Sequence, residues 1–366
     1  MRYFYLFIMT AASIFASCNS RQYDEIDIDK ALNGNQTADG TALFRNIEVI
    51  ELDDTVEMHL GPLPCIETIT TSDIVIRNNN DIYHLSRKGK YLNSVGKHGN
   101  GHAEYGQILS VSCDTINKRV YVSTLSSEIY VYTFDGDFVC NYKLKVTGNE
   151  KVKSTCFSQK NGLMVELRQY NGIEYNVLIA ASNSDGDIIN RELIYSDNLN
   201  FPVSRESTSE MYCHGDGVKV KLEYSGILFC VGDDSHAPVE LTYSNRITDR
   251  RLVEDASLKN KLMNEYVQVL DIRESDKYLY FVLYSDRIMR CAVYDKQSQR
   301  FVFSQGNLNP KLGEGIIFQG ISKKFWPTWT GGNLSASIIL PEYGDEGDSD
   351  DEHNSYKRAS IIIAYE

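Results

Sequence analysis

The sequence predicts an all-β protein, a six-bladed β-propeller of four-stranded antiparallel blades whose first and last strands close the ring. Three observations carry that expectation. Residues 74–142 hold two successive copies of one pattern, short runs of alternating β-branched and aromatic residues interrupted by Asn, Asp and Gly. Such runs read as strands joined by tight hairpins, because branched and aromatic side chains fit a pleated surface and the punctuating residues tolerate turn backbone. The second copy begins about 45 residues after the first, the spacing of propeller blades. Finally, strand-like runs at 46–52 (NIEVIEL) and 359–365 (ASIIIAY) lie near opposite ends of the chain. Pairing them in one blade would remove the bare sheet edges of an open ring.

The amino terminus comes first in order. Met1 and Arg2 precede an apolar run at 3–9 and small residues leading to Ser17 and Cys18. A basic start, a short apolar core and a small-residue exit make an export signal, and the run is shorter than the roughly 20 residues that span a bilayer. Ser17-Cys18 resembles the lipobox of bacterial lipoproteins, with Phe15 where Leu is commoner. The resemblance implies a signal peptide over 1–17 and acylation of Cys18, which would hold the protein in the membrane. A plain secreted protein cut nearby is the alternative. Residues 18–40 are polar and read as a flexible tether before a propeller over 41–366. Their acidic side chains (Asp24, Glu25, Asp27, Asp29) suit either a surface-export signal or a solvated linker.

Blade one is expected over 66–95 and blade two over 108–145. Blade three follows at 152–195, its hairpins marked by Asn161-Gly162, Asn171-Gly172 and Asp185-Gly186. Blade four occupies 210–243 and blade five 267–304, while blade six combines 315–322, 325–329 and 336–340 with the two ends. Between blades four and five, Leu258, Leu262 and Tyr266 fall four apart, with acids early and lysines late. That pattern predicts one short helical insertion near 250–264, covering a blade edge. The acidic run at 341–357 reads as a solvated loop, and Asp348 and Asp350 lack the glycine and distal Glu of a calcium loop.

Composition narrows the function classes. The formal charge of −13 argues against a nucleic-acid surface, and no basic stripe interleaved with aromatics occurs. The 8 cysteines include no CxxC pair, so zinc ribbons and thioredoxin-like chemistry have no support. Most read as small buried hydrophobes; with Cys18 set aside the remainder is odd, which leaves room for one or two disulfides but implies no complete framework.

Several stretches resemble a known family. Residues 96–105 (GKHGNGHAEY) are similar to a G-x-x-G-x-G-P-G-E-Y connection, with His102-Ala103 in place of Pro-Gly; 272–279 (IRESDKYL) resembles an E-T-x-x-Y-L stretch; Asp295-Lys296 and Phe325-Trp326-Pro327 match its D-K and F-W-P landmarks. These belong to the six-bladed β-propeller lipoproteins of Gram-negative gut bacteria, relatives of NHL-repeat propellers. The resemblance covers about 45–366 and implies the propeller fold and an outer-membrane lipoprotein of the cell envelope, periplasmic or surface-exposed.

No GxSxG, HExxH or phosphate loop is present, so no catalytic residue, cofactor or metal is assigned. The candidate ligand-binding residues are His98, His102, Glu104, Tyr105, Arg273 and Trp326. For the loop the structural reading weighs more: Gly99 and Gly101 permit a tight turn, Glu104 caps backbone N–H groups and Tyr105 packs into the next blade. Trp326 suits a carbohydrate platform or, more commonly, core packing. Arg273 falls at a strand end that could line the channel. The sequence therefore points to a membrane-anchored, monomeric binding or interaction module for an envelope protein, glycan or peptide. The alternative is an NHL-like lyase or hydrolase with a metal in the central channel.

Overall fold

In the computed structural model the described residues are 24–34, 40–54, 60, 64–170, 175–194, 209–222, 225–232, 238–246, 255–261, 265–308, 315–318, 321–340 and 359–366. Strand β1 (Asp24–Asp27), helix α1 (Asp29–Asn33), helix α2 (Gly40–Leu43) and strand β2 (Asn46–Glu51) open the chain. Blade one follows as β3 (Cys65–Ile69), β4 (Asp73–Asn78), β5 (Asp81–Ser86) and β6 (Tyr91–Ser94), and blade two as β7 (Ile108–Asp114), β8 (Arg119–Thr124), β9 (Glu128–Thr133) and β10 (Phe138–Lys143). Blade three is β11 (Glu150–Ser158), β12 (Gly162–Tyr170), β13 (Tyr175–Ser182) and β14 (Ile188–Leu193). Blade four is β15 (Ser209–His214), β16 (Gly217–Leu222), β17 (Ile227–Val231) and β18 (Val239–Thr242). Blade five is β19 (Gln268–Glu274), β20 (Tyr278–Ser285), β21 (Ile288–Asp295) and β22 (Arg300–Gly306). A hairpin of β23 (Ile316–Phe318) and β24 (Ile321–Phe325) precedes β25 (Trp329–Gly331), β26 (Leu334–Ile339) and β27 (Ser360–Tyr365).

Each blade is an antiparallel sheet whose strands pair in chain order, and blade six has the order β25, β26, β27, β2. The two ends of the chain are thus zipped together, Asn46 opposite Tyr365 and Glu51 opposite Ser360. Apolar side chains gather into six clusters, one at each junction between neighbouring blades. Val75 and Ile82 of blade one meet Val120, Val122 and Tyr132 of blade two, for example. The core is therefore a ring of wedges, and the second strands, covered on both faces, are buried almost end to end.

A repeated turn explains the blade period. Gly89, Gly136 and Gly186, all at positive φ, follow the third strand of blades one, two and three. A Cβ on them would stand 2.3, 2.6 and 2.0 Å from the carbonyl oxygens of Glu51, Ser94 and Lys143, in or directly after the outer strand of the preceding blade. The turn that ends one blade's third strand is thereby pressed onto its neighbour's rim, which only glycine permits.

Two local expectations need revision. Residues 24–33, read as tether, are docked. Strand β1 pairs in parallel with the outer strand β18, making blade four five-stranded. Ile26, Ile28 and Ala31 are buried in the wedge between blades four and five. The alternation of isoleucine with acid at 24–29 is the strand signal that the charge obscured. In blade six the inner strand is Trp329–Gly331, and 316–325 forms its own hairpin. Pro327 has no N–H to give a ladder, so 325–329 cannot run as one strand. The helical insertion is a 3-10 helix at Ala256–Lys261, and Arg246 and Val267 on either side of the excursion meet in a parallel bridge. The signal segment, Cys18 and the acidic run at 341–357 lie outside the described residues.

Candidate functional site

The loop at 96–105 folds on itself. Gly99 N donates to Tyr105 O at 2.9 Å, and Tyr105 N to Lys97 O at 3.0 Å. Glu104 accepts from Gly101 N at 2.9 Å and pairs with Lys97 Nζ at 3.0 Å, which holds its carboxyl below the ordinary range, the Gly101 bond foremost. Tyr105 is buried, donates to Asn80 O at 3.0 Å and stacks edge-on against Tyr132. The His98 ring lies against Tyr105, and the His102 ring against Phe138 on the outer strand of blade two. The loop joins His98 and Tyr105 in a β-bridge but turns its carboxylate to its own backbone. Trp326 is packed edge-on against Tyr280 and beside Phe303, with 4% of its surface exposed, so it offers no platform to a sugar. Among the described residues no three His, Cys, Asp or Glu side chains group as a metal site.

Arg273 is the candidate that leads inward. It stands near the end of β19, the innermost strand of blade five, one-third exposed and paired through Nη2 with Asp271 Oδ1 at 3.2 Å. Around it the first and second strands of several blades supply polar side chains. Ile272 N donates to Glu210 Oε2 at 3.3 Å, and the Tyr212 hydroxyl to Glu274 Oε2 at 3.2 Å, joining blades four and five. Burial raises Cys65 and Glu67 of blade one, and the positive charges of Arg77 and, more weakly, Arg273 oppose it. Glu67 pairs with Arg77 at 2.6 Å. Between blades two and three Ser110 and Thr155 share a hydroxyl contact of 2.9 Å. Between three and four, Glu166 accepts from Ser154 at 2.8 Å, Ser209 at 2.6 Å and Arg168 Nε at 3.0 Å.

The backbone helps to aim these side chains. In β3, β7, β11 and β19 the register with the second strand slips by one residue near the start of the inner strand. A bulge re-aims side chains at a strand end, and Glu67 and Leu270 occupy the extra positions in their strands. Every residue of β15 remains partly open to solvent, whereas the neighbouring β16 is buried throughout.

Enclosure without dryness sets the electrostatics. Burial, reinforced by the Asp271 charge and a carboxyl–carboxyl hydrogen bond, pushes Glu210 up to about 7 against the opposing Arg273 and Lys221. Glu67 is raised by burial in the same way, with Arg77 opposing. Burial alone would raise Glu274, yet His214, Lys219 and Lys296 hold it below the ordinary range. Glu210 is thus held protonated to higher pH than an ordinary carboxyl, beside the Arg273 guanidinium. Arg168 Nη2 and Arg273 Nε are buried with no hydrogen-bond acceptor among the described residues. Buried donors are ordinarily satisfied, and these two are among the exceptions in the described residues. Sequence reasoning named Arg273 but not Glu210, Asp271, Glu67 or Arg168, because these form no motif and lie on four different blades.

These features define a class: a six-bladed β-propeller with charged side chains on its inner strands. The chain belongs to the family of the domain of unknown function DUF4934, whose model matches residues 23–359. It is similar in fold to a crystal structure of a Bacteroides fragilis protein predicted to be exported, with a TM-score of 0.66 and 12% identity over 94% of this chain and 100% of that one. Lower similarities link it to BamB of Moraxella catarrhalis (TM-score 0.37, 13% identity, 70% and 66% covered) and to U3-55K (TM-score 0.40, 12% identity, 83% and 79% covered). No curated protein matches the sequence.

Proposed function

We propose that the protein is an exported, membrane-anchored propeller that binds a polar ligand at its central channel and acts as a binding or interaction module of the cell envelope. The observation that carries this reading is the Arg273 guanidinium, one-third exposed on the innermost strand of blade five among the charged side chains of its neighbours. Such a donor fits carboxylate or hydroxyl oxygens, so the reading favours a peptide or an acidic glycan. Export is supported by the signal-like segment ending at Cys18 and by the exported character predicted for the Bacteroides fragilis protein of similar fold. Acylation of Cys18 would supply the anchor.

Titration calorimetry against peptide and acidic-glycan panels tests the site. Arg273→Met should weaken binding by at least about tenfold, while His98→Ala with His102→Ala leaves it unchanged. Binding that ignores Arg273 and fails with the histidines would move the site to the loop and overturn the reading.

One observation favours an enzyme as the second reading. The bonded Glu210 and Asp271 carboxyls beside Arg273 have the make-up of an acid–base pair for a lyase or hydrolase. Turnover of a polysaccharide that disappears in both Glu210→Gln and Asp271→Asn would support it; activity persisting in both would remove the pair from the chemistry. The metal-dependent version gains no support from the loop, whose Glu104 is already engaged.

A further inference from the structure

The innermost strands of blades three and four meet at two thiols. Cys156 of β11 and Cys213 of β15 stand with their sulfurs 2.9 Å apart, Cys213 Sγ–H directed at Cys156 Sγ, and neither is bonded elsewhere. A disulfide requires sulfurs at about 2.05 Å, so about an ångström of side-chain adjustment separates the contact from a covalent bond. The strands carrying the thiols are packed against each other, which brings together cysteines 57 positions apart in the chain.

We infer that Cys156 and Cys213 form a disulfide in the oxidising compartment to which an exported protein is delivered. The oxidant is a disulfide, either a small one or the active-site disulfide of a thiol oxidase. Cys213 is the half-buried member and lies on the strand whose every residue reaches solvent; Cys156 is buried. The hydrogen bond from Cys213, then burial, holds the Cys156 thiol well above its ordinary range and keeps it protonated until its partner has reacted. The Cys213 thiolate attacks one sulfur of the oxidant, and the other sulfur departs as a thiol after taking up a proton. Cys156 then loses its proton and attacks Cys213 Sγ, expelling the second thiol. Two electrons and two protons pass from the cysteine pair to the oxidant, and one S–S bond forms as one is broken.

The bond would staple two blades beside the Glu166–Arg168 pair and fix their spacing there. The pairing is local and frames no wider disulfide network. The inference stands on the sulfur contact and does not depend on any channel ligand.

The full chain, incubated with oxidised glutathione, denatured, alkylated and mapped by mass spectrometry, provides the test. The free-thiol count should fall by two, with one linked species joining the peptides of Cys156 and Cys213. Adding dithiothreitol should then lower the melting temperature by about 5 °C, because a closed loop of this size constrains the unfolded chain. In Cys213→Ser the linked species and the reductant effect should both vanish. Complete alkylation of both cysteines after oxidation, glutathione adducts without the linked species, or linkage to other cysteines would overturn the inference. The peptide map of the unmodified protein decides the question even if that variant does not fold.

Discussion

At the scale of single residues, the Asp73 carboxylate is bonded to His84 Nε2 at 2.7 Å, to Lys118 Nζ at 2.9 Å and to the Ser72 hydroxyl. Burial alone would raise its pKa, but these donors hold it down at about 2 against an ordinary 3.8. Because the folded value lies below the unfolded one, the stabilisation is complete above about pH 4 and is lost as the pH falls towards 2, amounting to about 2 kcal/mol. The gap in urea stability between the native chain and Asp73→Asn should therefore be wide at pH 6 and close towards pH 2. A gap that does not change with pH would contradict the assignment. Glu210 works with the opposite sign, its folded pKa lying near 7 above an ordinary 4.5. Its contribution is fully present below about pH 4.5 and disappears as the pH rises through 7, where the ionised form sits enclosed beside Asp271. Glu210→Gln should be more stable than the native chain at pH 8, by about 1–2 kcal/mol after allowance for partial exposure, with the difference shrinking below pH 5. Equal melting temperatures for the two at pH 8 would count against the bonded acid pair.

At the scale of elements, the turn glycines separate two effects that usually travel together. Gly136 and Gly162 both close hairpins at positive φ, 89° and 74°. A Cβ at Gly136 would meet Ser94 O at 2.6 Å, whereas nothing lies within 4 Å of one at Gly162. Gly162→Ala should cost about 1 kcal/mol through backbone strain alone. Gly136→Ala should cost at least about 2–3 kcal/mol, since it also forces the rim of blade one away from blade two. Equal losses in urea titrations would show that the close approach carries no energy. This interblade contact is what the 45-residue repetition encoded, so the blades were legible from Asp135-Gly136-Asp137 and its counterparts. The tether was misread because the acids of 24–29 dominate a segment whose only apolar signals are Ile26 and Ile28. Trp326 had two chemically sound readings, and only the packing of Tyr280 and Phe303 around it decides between them. Channel residues were the least legible: each inner strand contributes one or two polar groups, and no local spacing announces that Glu210 meets Asp271 across a blade boundary.

At the scale of the whole molecule, stability depends on a ring that has no free start. Each wedge of core is shared by two blades, so opening the ring at one place bares a wedge on both sides and frees ladder groups of β26, β27 and β2. The seal is double. Strand β2 pairs with β27 along its whole length, and the buried Glu366 carboxylate accepts from Ser275 at 2.6 Å, Tyr280 at 2.7 Å and Ser335 at 2.9 Å, tying blade five to blade six. Ile362 lies inside that seal, opposite Val49 on one side and Ser337 on the other. Ile362→Pro removes a ladder N–H from a strand paired on both edges and should cost at least about 3 kcal/mol. Because the loss falls at the closure, it should also abolish the single cooperative transition and send the protein into aggregates through its exposed edges. Val139 provides the contrast: it is the bulged, exposed residue of β10, outside the register with β9. Val139→Pro should leave one sharp transition within about 1 kcal/mol of the native chain. Size-exclusion chromatography with thermal melts of the two variants distinguishes a sealed ring from a row of independent blades, for independent blades would let Ile362→Pro melt one blade and leave the other five intact.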